Sequence, residues 1–121
     1  MLAELTVRDF ALIEELHLMF APNLNVITGE TGAGKSILVG ALGTLLGERT
    51  SSDVVRAGQD RAIVEARFIL PDKHPTLAMV HELGGEIDGN ELILRREIIA
   101  DGRTRVWVGG ASVPVRTLRD I

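Results

Sequence analysis

Residues 24–46 read LNVITGETGAGKSILVGALGTLL, and the change of texture along this stretch decides the fold. LNVIT (24–28) is short, β-branched and unbroken, as expected of a buried strand. From Lys35 the apolar residues Ile37, Leu38, Ala41, Leu42, Leu45 and Leu46 recur at three- and four-residue spacing. That period predicts a helix beginning near Lys35, with Gly47 as its stop. Between them GETGAGKS (29–36) fits G-x-x-x-x-G-K-[ST] at every fixed position. Strand, glycine loop, helix is the setting in which that pattern cradles phosphate.

Each residue of the loop has a physical task. Gly29, Gly32 and Gly34 admit backbone angles that bulkier residues resist, so successive N–H groups can turn inward. Glu30, Thr31 and Ala33 fill the variable positions, and Thr31 and Ala33 are small enough to let the loop wrap a phosphate chain. A helix N-terminus adds donors and the positive end of a dipole. Lys35 is placed to reach the β and γ phosphates of ATP, and the Ser36 hydroxyl to coordinate Mg²⁺. The eight residues Gly29, Glu30, Thr31, Gly32, Ala33, Gly34, Lys35 and Ser36 are therefore the candidate ATP-binding set. Arg8, Arg49 and Arg56 are candidates for further nucleotide contacts.

A hydrolase also needs a carboxylate in the metal shell and a residue that places the attacking water. Four apolar residues followed by an acid would mark such a strand. ALIEE (11–15) lies upstream of the loop, and AIVEA (62–66) carries its glutamate mid-strand. Neither fits, so no catalytic residue is identified, and the 121 residues are expected to bind ATP with little turnover.

The remaining chain reads as mostly β. LAELTVR (2–8) and LIEELHLMF (12–20) alternate and predict two strands joined by a short turn, a helix over 11–19 being the alternative. Residues 47–61 are polar and predict a loop with one helical turn capped by Ser52 and Asp53. AIVEARFIL (62–70) predicts a strand, and a short helix should start near Pro75 or Thr76 and end at Gly84-Gly85. Asp-Gly pairs stand at 88–89 and 101–102, and the second predicts a hairpin with strands near 91–99 and 104–108. ASVPVRTLRDI (111–121) predicts the start of a helix.

Composition excludes several classes. There is no cysteine, hence no disulfide or thiolate metal site, as in a reducing compartment. With net charge −4 the chain as a whole is no basic nucleic-acid clamp. Four aromatics (Phe10, Phe20, Phe68, Trp107) are too few for a base-stacking platform. No run approaches the length of a membrane-spanning helix, and MLAELTVRDF has no secretory character, so no membrane is implied and the expected location is cytoplasmic. His17, His74 and His81 have no ligand spacing. Arg95, Arg96, Arg103 and Arg105 form a basic cluster, either the solvated face of a strand pair or an edge turned to DNA or nucleotide.

Beyond the loop, three stretches carry a family resemblance: LTVRDFALIEE (5–15), GERTSSDVVRAG (47–58) and RREIIADGRTRVWVGG (95–110). Together with GETGAGKS they resemble the N-terminal head segment of the RecN family, bacterial SMC-like DNA repair ATPases, over essentially the whole chain. Arg8, Phe10, Ala11, Ile13, Glu14 and Glu15 fit its first part. Gly47, Arg49, Ser51, Ser52, Asp53, Val55, Arg56 and Gly58 fit its second. Asp9 stands where relatives usually carry Asn, and Gly109-Gly110 where they carry Asn-Gly.

The resemblance implies an α/β P-loop NTPase fold: the N-terminal half of an ABC/SMC-type head, with an antiparallel β lobe beside a RecA-like core. It further implies that residues 1–121 are one head segment, with the coiled coil, signature motif and Walker B elsewhere in the protein. It implies ATP and Mg²⁺ as cofactors and, as partners, the rest of the head, a second head in a homodimer, and DNA at double-strand breaks in the bacterial nucleoid. The head of another SMC-family protein, the nucleotide-binding subunit of an ABC transporter and a non-catalytic nucleotide module are the competing readings.

Overall fold

The computed structural model describes residues 2–19, 32–47, 52–87 and 89–120, with the backbone alone for 32–38, 119 and 120. In chain order it contains strands β1 (Leu2–Phe10) and β2 (Ile13–Met19), helix α1 (Gly32–Leu45), a 3-10 turn at Ser52–Val54 and strand β3 (Arg61–Ile69). Helix α2 (Pro75–Glu82), strands β4 (Glu91–Ile99), β5 (Thr104–Val108) and β6 (Ala111–Val113), and helix α3 (Thr117–Asp120) complete it. The strand expected at 24–28, and Phe20, lie outside the described residues.

The strands form one six-stranded sheet in the order β2-β1-β3-β4-β5-β6. Every pairing is antiparallel. Alternation fixes the register, because a one-residue slip would turn each apolar set to the wrong face. Leu5, Ala66, Leu94 and Val108 lie in one cross-strand row, and Val7, Val64, Arg96 and Val106 in the next. All eight are buried, and α1 packs on this face through Ala41 and Leu45. Residues 11–19 follow the strand reading, with Ile13, Leu16 and Leu18 packed against the core.

The opposite face carries a charge ladder. The Glu97 side chain is 7% exposed and sits between Arg61 (3.2 Å) and Arg95 (3.1 Å), the pairing that a buried carboxylate requires. Arg67 bridges Glu4 and Glu91, and His17 Nε2 lies 2.6 Å from Glu4 Oε2. The contact with His17, followed by Arg67, holds the Glu4 carboxyl below its ordinary value of 4.5. A carboxyl depressed on folding adds stability above its unfolded pKa and loses it as pH falls through the folded value. The thermal midpoint is therefore expected to drop on acidification below about pH 4.5. Glu4→Gln should flatten that drop in a melting series against pH; an unchanged slope would show that the pair contributes nothing.

The C-terminal stretch differs from expectation. Residues 111–113 form β6 against β5 before any helix starts, so the predicted helix shrinks to Thr117–Asp120. Gly109 and Gly110, at φ 56° and 87°, form the turn that folds β6 back. Left-handed angles at two successive residues are what a two-residue hairpin turn demands.

Candidate nucleotide-binding site

α1 begins at Gly32, three residues before the expected start, so Gly32, Ala33, Gly34, Lys35 and Ser36 are all helical. Each Gly disfavours the helix by about 0.5–1 kcal/mol relative to Ala, but without a Cβ it leaves the first-turn N–H groups open to close approach by a ligand. The first four N–H groups of any α-helix lack an intrahelical acceptor. Among the described residues they belong to Gly32, Ala33 and Gly34, inside the GETGAGKS motif, at the positive end of the helix dipole. This donor set fits a phosphate group. Gly29, Glu30 and Thr31, and the side chains of Lys35 and Ser36, lie outside the described residues.

The far end of the helix is anchored on the sheet. Ala41 and Leu45 are fully buried, and Gly47 takes φ 89° and donates its N–H to the Thr44 carbonyl, a glycine stop of the expected kind. The opposite side of α1 is also apolar: Val39 and Leu46 are exposed at 64% and 60%, and a Cβ on Gly40 would meet open space. A helix apolar on both sides is one built to be covered on both.

The turn between β1 and β2 is clamped onto the segment after α1. Ala11 N–H donates to Val54 O at 2.6 Å, Arg56 N–H donates to Asp9 O at 2.8 Å, and Phe10 bridges to Val55. Asp9 and Ala11 both have positive φ, 50° and 53°. Asp and Asn are the side chains that best accept that region, so Asp9 suits the turn as Asn would. The Arg56 guanidinium donates to Leu12 O at 3.4 Å. Arg8 alternates with buried Val7, which turns it to the face away from α1, where it lies 3.6 Å from Glu15. Arg49 is outside the described residues.

The two acidic strands considered as metal-shell candidates are likewise placed. Glu15 is on edge strand β2 facing Arg8, and Glu65 is mid-β3, 3.9 Å from Arg95. Both therefore sit on the charge-ladder face, and α1 on the other. No group of three or more His, Asp or Glu among the described residues could hold a metal ion.

The basic cluster of 95–105 is divided by the sheet. Arg95 lies over the Trp107 ring at 5.8 Å and pairs with Glu97, while Arg103 pairs with Asp101 at 2.7 Å. Arg96 points the other way and is 3% exposed in the core. The cluster is thus neither a single solvated face nor a continuous basic edge. Its parity was the available signal: Leu92, Leu94, Arg96 and Ile98 fall on one face of a strand. His74 also has a role that spacing did not reveal. Its Nδ1 accepts the Thr76 N–H and caps α2 ahead of Pro75.

Comparison with known proteins places this architecture. An AAA domain family matches residues 4–102. The DNA repair protein RecN of Halalkalibacterium halodurans is 45% identical over all 121 residues, and that of Bacillus subtilis 43%. The chain spans about a fifth (21%) of the length of those curated relatives. Among solved structures, an SMC ATPase studied for ATP-driven dimerization and DNA-stimulated activation superposes with a TM-score of 0.76 at 24% identity. That match covers 99% of this chain and 76% of the other. The fold is that of a P-loop NTPase head of the ABC/SMC type with an antiparallel sheet. The chain belongs to the AAA domain family and is similar over its whole length to DNA repair proteins of the RecN type.

Proposed function

We propose that this segment supplies the phosphate-binding half of an ATP site in the head of an SMC-like DNA repair ATPase. The observation that carries the reading is the position of α1. Its N-terminal N–H groups, which have no intrahelical acceptor, lie within GETGAGKS, and its body is held by the sheet. Gly29 to Lys35 would cradle the phosphates, Lys35 would offset their charge, and Ser36 would hold Mg²⁺. The bound metal would supply neutralisation of the phosphate charge.

Glu15 and Glu65 lie on the sheet face away from α1, which supports metal-shell and water-placing groups contributed from elsewhere. The rest of the same head and a second head are the proposed sources, with the coiled coil, signature motif and Walker B in the remainder of the protein. The relatives, named DNA repair proteins, support a repair role over an ABC transporter subunit; recombinational repair of DNA double-strand breaks, in the bacterial cytoplasm and on the nucleoid, is the proposed setting. No helix among the described residues is long and apolar enough to cross a membrane. In the full protein, ATP binding would engage two heads, as the ATP-driven dimerization of the similar SMC ATPase illustrates, and hydrolysis would release them.

The 121-residue chain alone is expected to bind Mg·ATP and release phosphate no faster than the buffer control in a continuous phosphate assay. Sustained turnover that disappears with Lys35→Ala would show that a catalytic carboxylate lies within these residues after all.

A further inference from the structure

Arg96 is a charged side chain in an aliphatic core, 3% exposed, in the row with Val64 and Val106 that faces α1. Packing alone would be served by an apolar residue, since a buried ion offsets its desolvation only through well-placed partners. Two of its contacts are directional. Nη1 donates to the Thr44 carbonyl at 2.8 Å, and Nε donates to Thr104 Oγ1 at 3.1 Å. Thr104 Oγ1 in turn donates to the Glu97 carbonyl at 3.1 Å, and Thr44 Oγ1 to Ala41 O at 2.7 Å. The acceptor on α1 lies in its last turn, at the negative end of the dipole, where a cation is favoured.

The other end of the same helix is the phosphate loop, about 20 Å away for 14 residues. The apolar contacts of Ala41 and Leu45 resist separation of helix and sheet but tolerate a small slide along the axis. A guanidinium bonded at once to the helix and to β5 does not.

We propose that Arg96 is the positioning residue of the nucleotide site, tying the C-terminal carbonyl of α1 to the β4–β5 hairpin. It sets the axial stand of the phosphate loop and makes that hairpin the place where nucleotide occupancy is felt. The inference rests on the reading of GETGAGKS as the ATP site.

The test uses the full-length protein that carries this segment. Mg·ATP affinity is measured well below each variant's melting midpoint, and amide exchange of residues 102–105 is followed with and without nucleotide. Arg96→Met is expected to weaken ATP about tenfold and Thr104→Val about threefold, within the range of coupling through packed networks. Arg96→Lys, which keeps a cationic donor for Thr44 O but not the fork that also reaches Thr104 Oγ1, should recover only part of the loss. Wild type should show slower exchange in 102–105 when ATP binds, and Arg96→Met should not. A purely structural role would raise exchange with and without ATP alike, leaving the nucleotide-dependent difference intact, and would overturn the proposal. Affinity within twofold of wild type in folded Arg96→Met would overturn it too. Should Arg96→Met fail to fold, Thr104→Val decides by the same two readouts, and an unaltered hairpin response in it is the contrary result. Lys35→Ala separates the levels. If it binds ATP like wild type, the site reading fails; if it does not bind while Arg96→Met stays within twofold of wild-type affinity, only the positioning role fails.

Discussion

Replacing Lys35 by alanine is expected to weaken Mg·ATP binding by about 100-fold or more, the loss of roughly 3 kcal/mol that follows removal of one partner from a desolvated charge pair. The backbone donors of α1 remain in the variant, but they are neutral and their dipole contributes only about 1 kcal/mol. A compact ammonium is the single full positive charge in the motif, and three phosphates need more than peptide dipoles. The fold should barely register the change, because the sheet and the buried part of α1, Ala41 to Leu45, hold it. Isothermal titration of both proteins, with melting curves alongside, checks this. Equal affinity in wild type and variant would remove the loop from the nucleotide site.

The second large effect concerns the fold. Gly85→Ala is expected to lower stability by about 3 kcal/mol, the upper end for overpacking a rigid site. A Cβ at Gly85 would lie 2.6 Å from Val108 O and 2.8 Å from Val80 Cγ1, so the new methyl meets backbone of β5 on one side and α2 on the other. Neither can step aside cheaply. Gly85 N–H donates to Val80 O, Glu86 N–H donates to Gly109 O, and Gly109 N–H donates to Ile93 O, which pins the segment to the β5–β6 turn. Gly84 is the internal control. At φ 83° with nothing near its missing Cβ, Gly84→Ala faces only the left-handed penalty of about 1–2 kcal/mol. Thermal melts should therefore rank wild type above Gly84→Ala and both above Gly85→Ala. The reverse order of the two variants would mean that α2 does not dock on the β5–β6 turn as described.

What was legible follows from the range of the forces involved. β4 and β5 could be read to the residue because alternation is local and Asp101-Gly102 marks the reversal, with Gly102 at φ 98°. β6 could not: three residues are too few to show a period, and Ala111 to Val113 become a strand only because β5 offers them an edge. Gly85 looked like the end of a helix, whereas its necessity comes from a carbonyl 23 positions later (Val108 − Gly85). The clamp of 9–11 on 54–56 is made by main-chain groups, which sequence patterns do not distinguish. Of the site, the motif and its helix were plain, since phosphate recognition is written in consecutive residues. Arg96 was hidden, because arginine on a strand is ordinarily solvated and only the faces of Leu92 and Leu94 betray its direction.

The central claim is that GETGAGKS at the head of α1 binds nucleotide through its phosphates. Titration of the protein with ATP, ADP, AMP and adenosine, each with Mg²⁺, tests it most directly. Clear binding of ATP and ADP is expected, with a collapse of affinity at AMP, none for adenosine, and the ATP response erased by Lys35→Ala. Adenosine or AMP bound as tightly as ATP would contradict it, because recognition would then lie in the base or sugar and not in the loop.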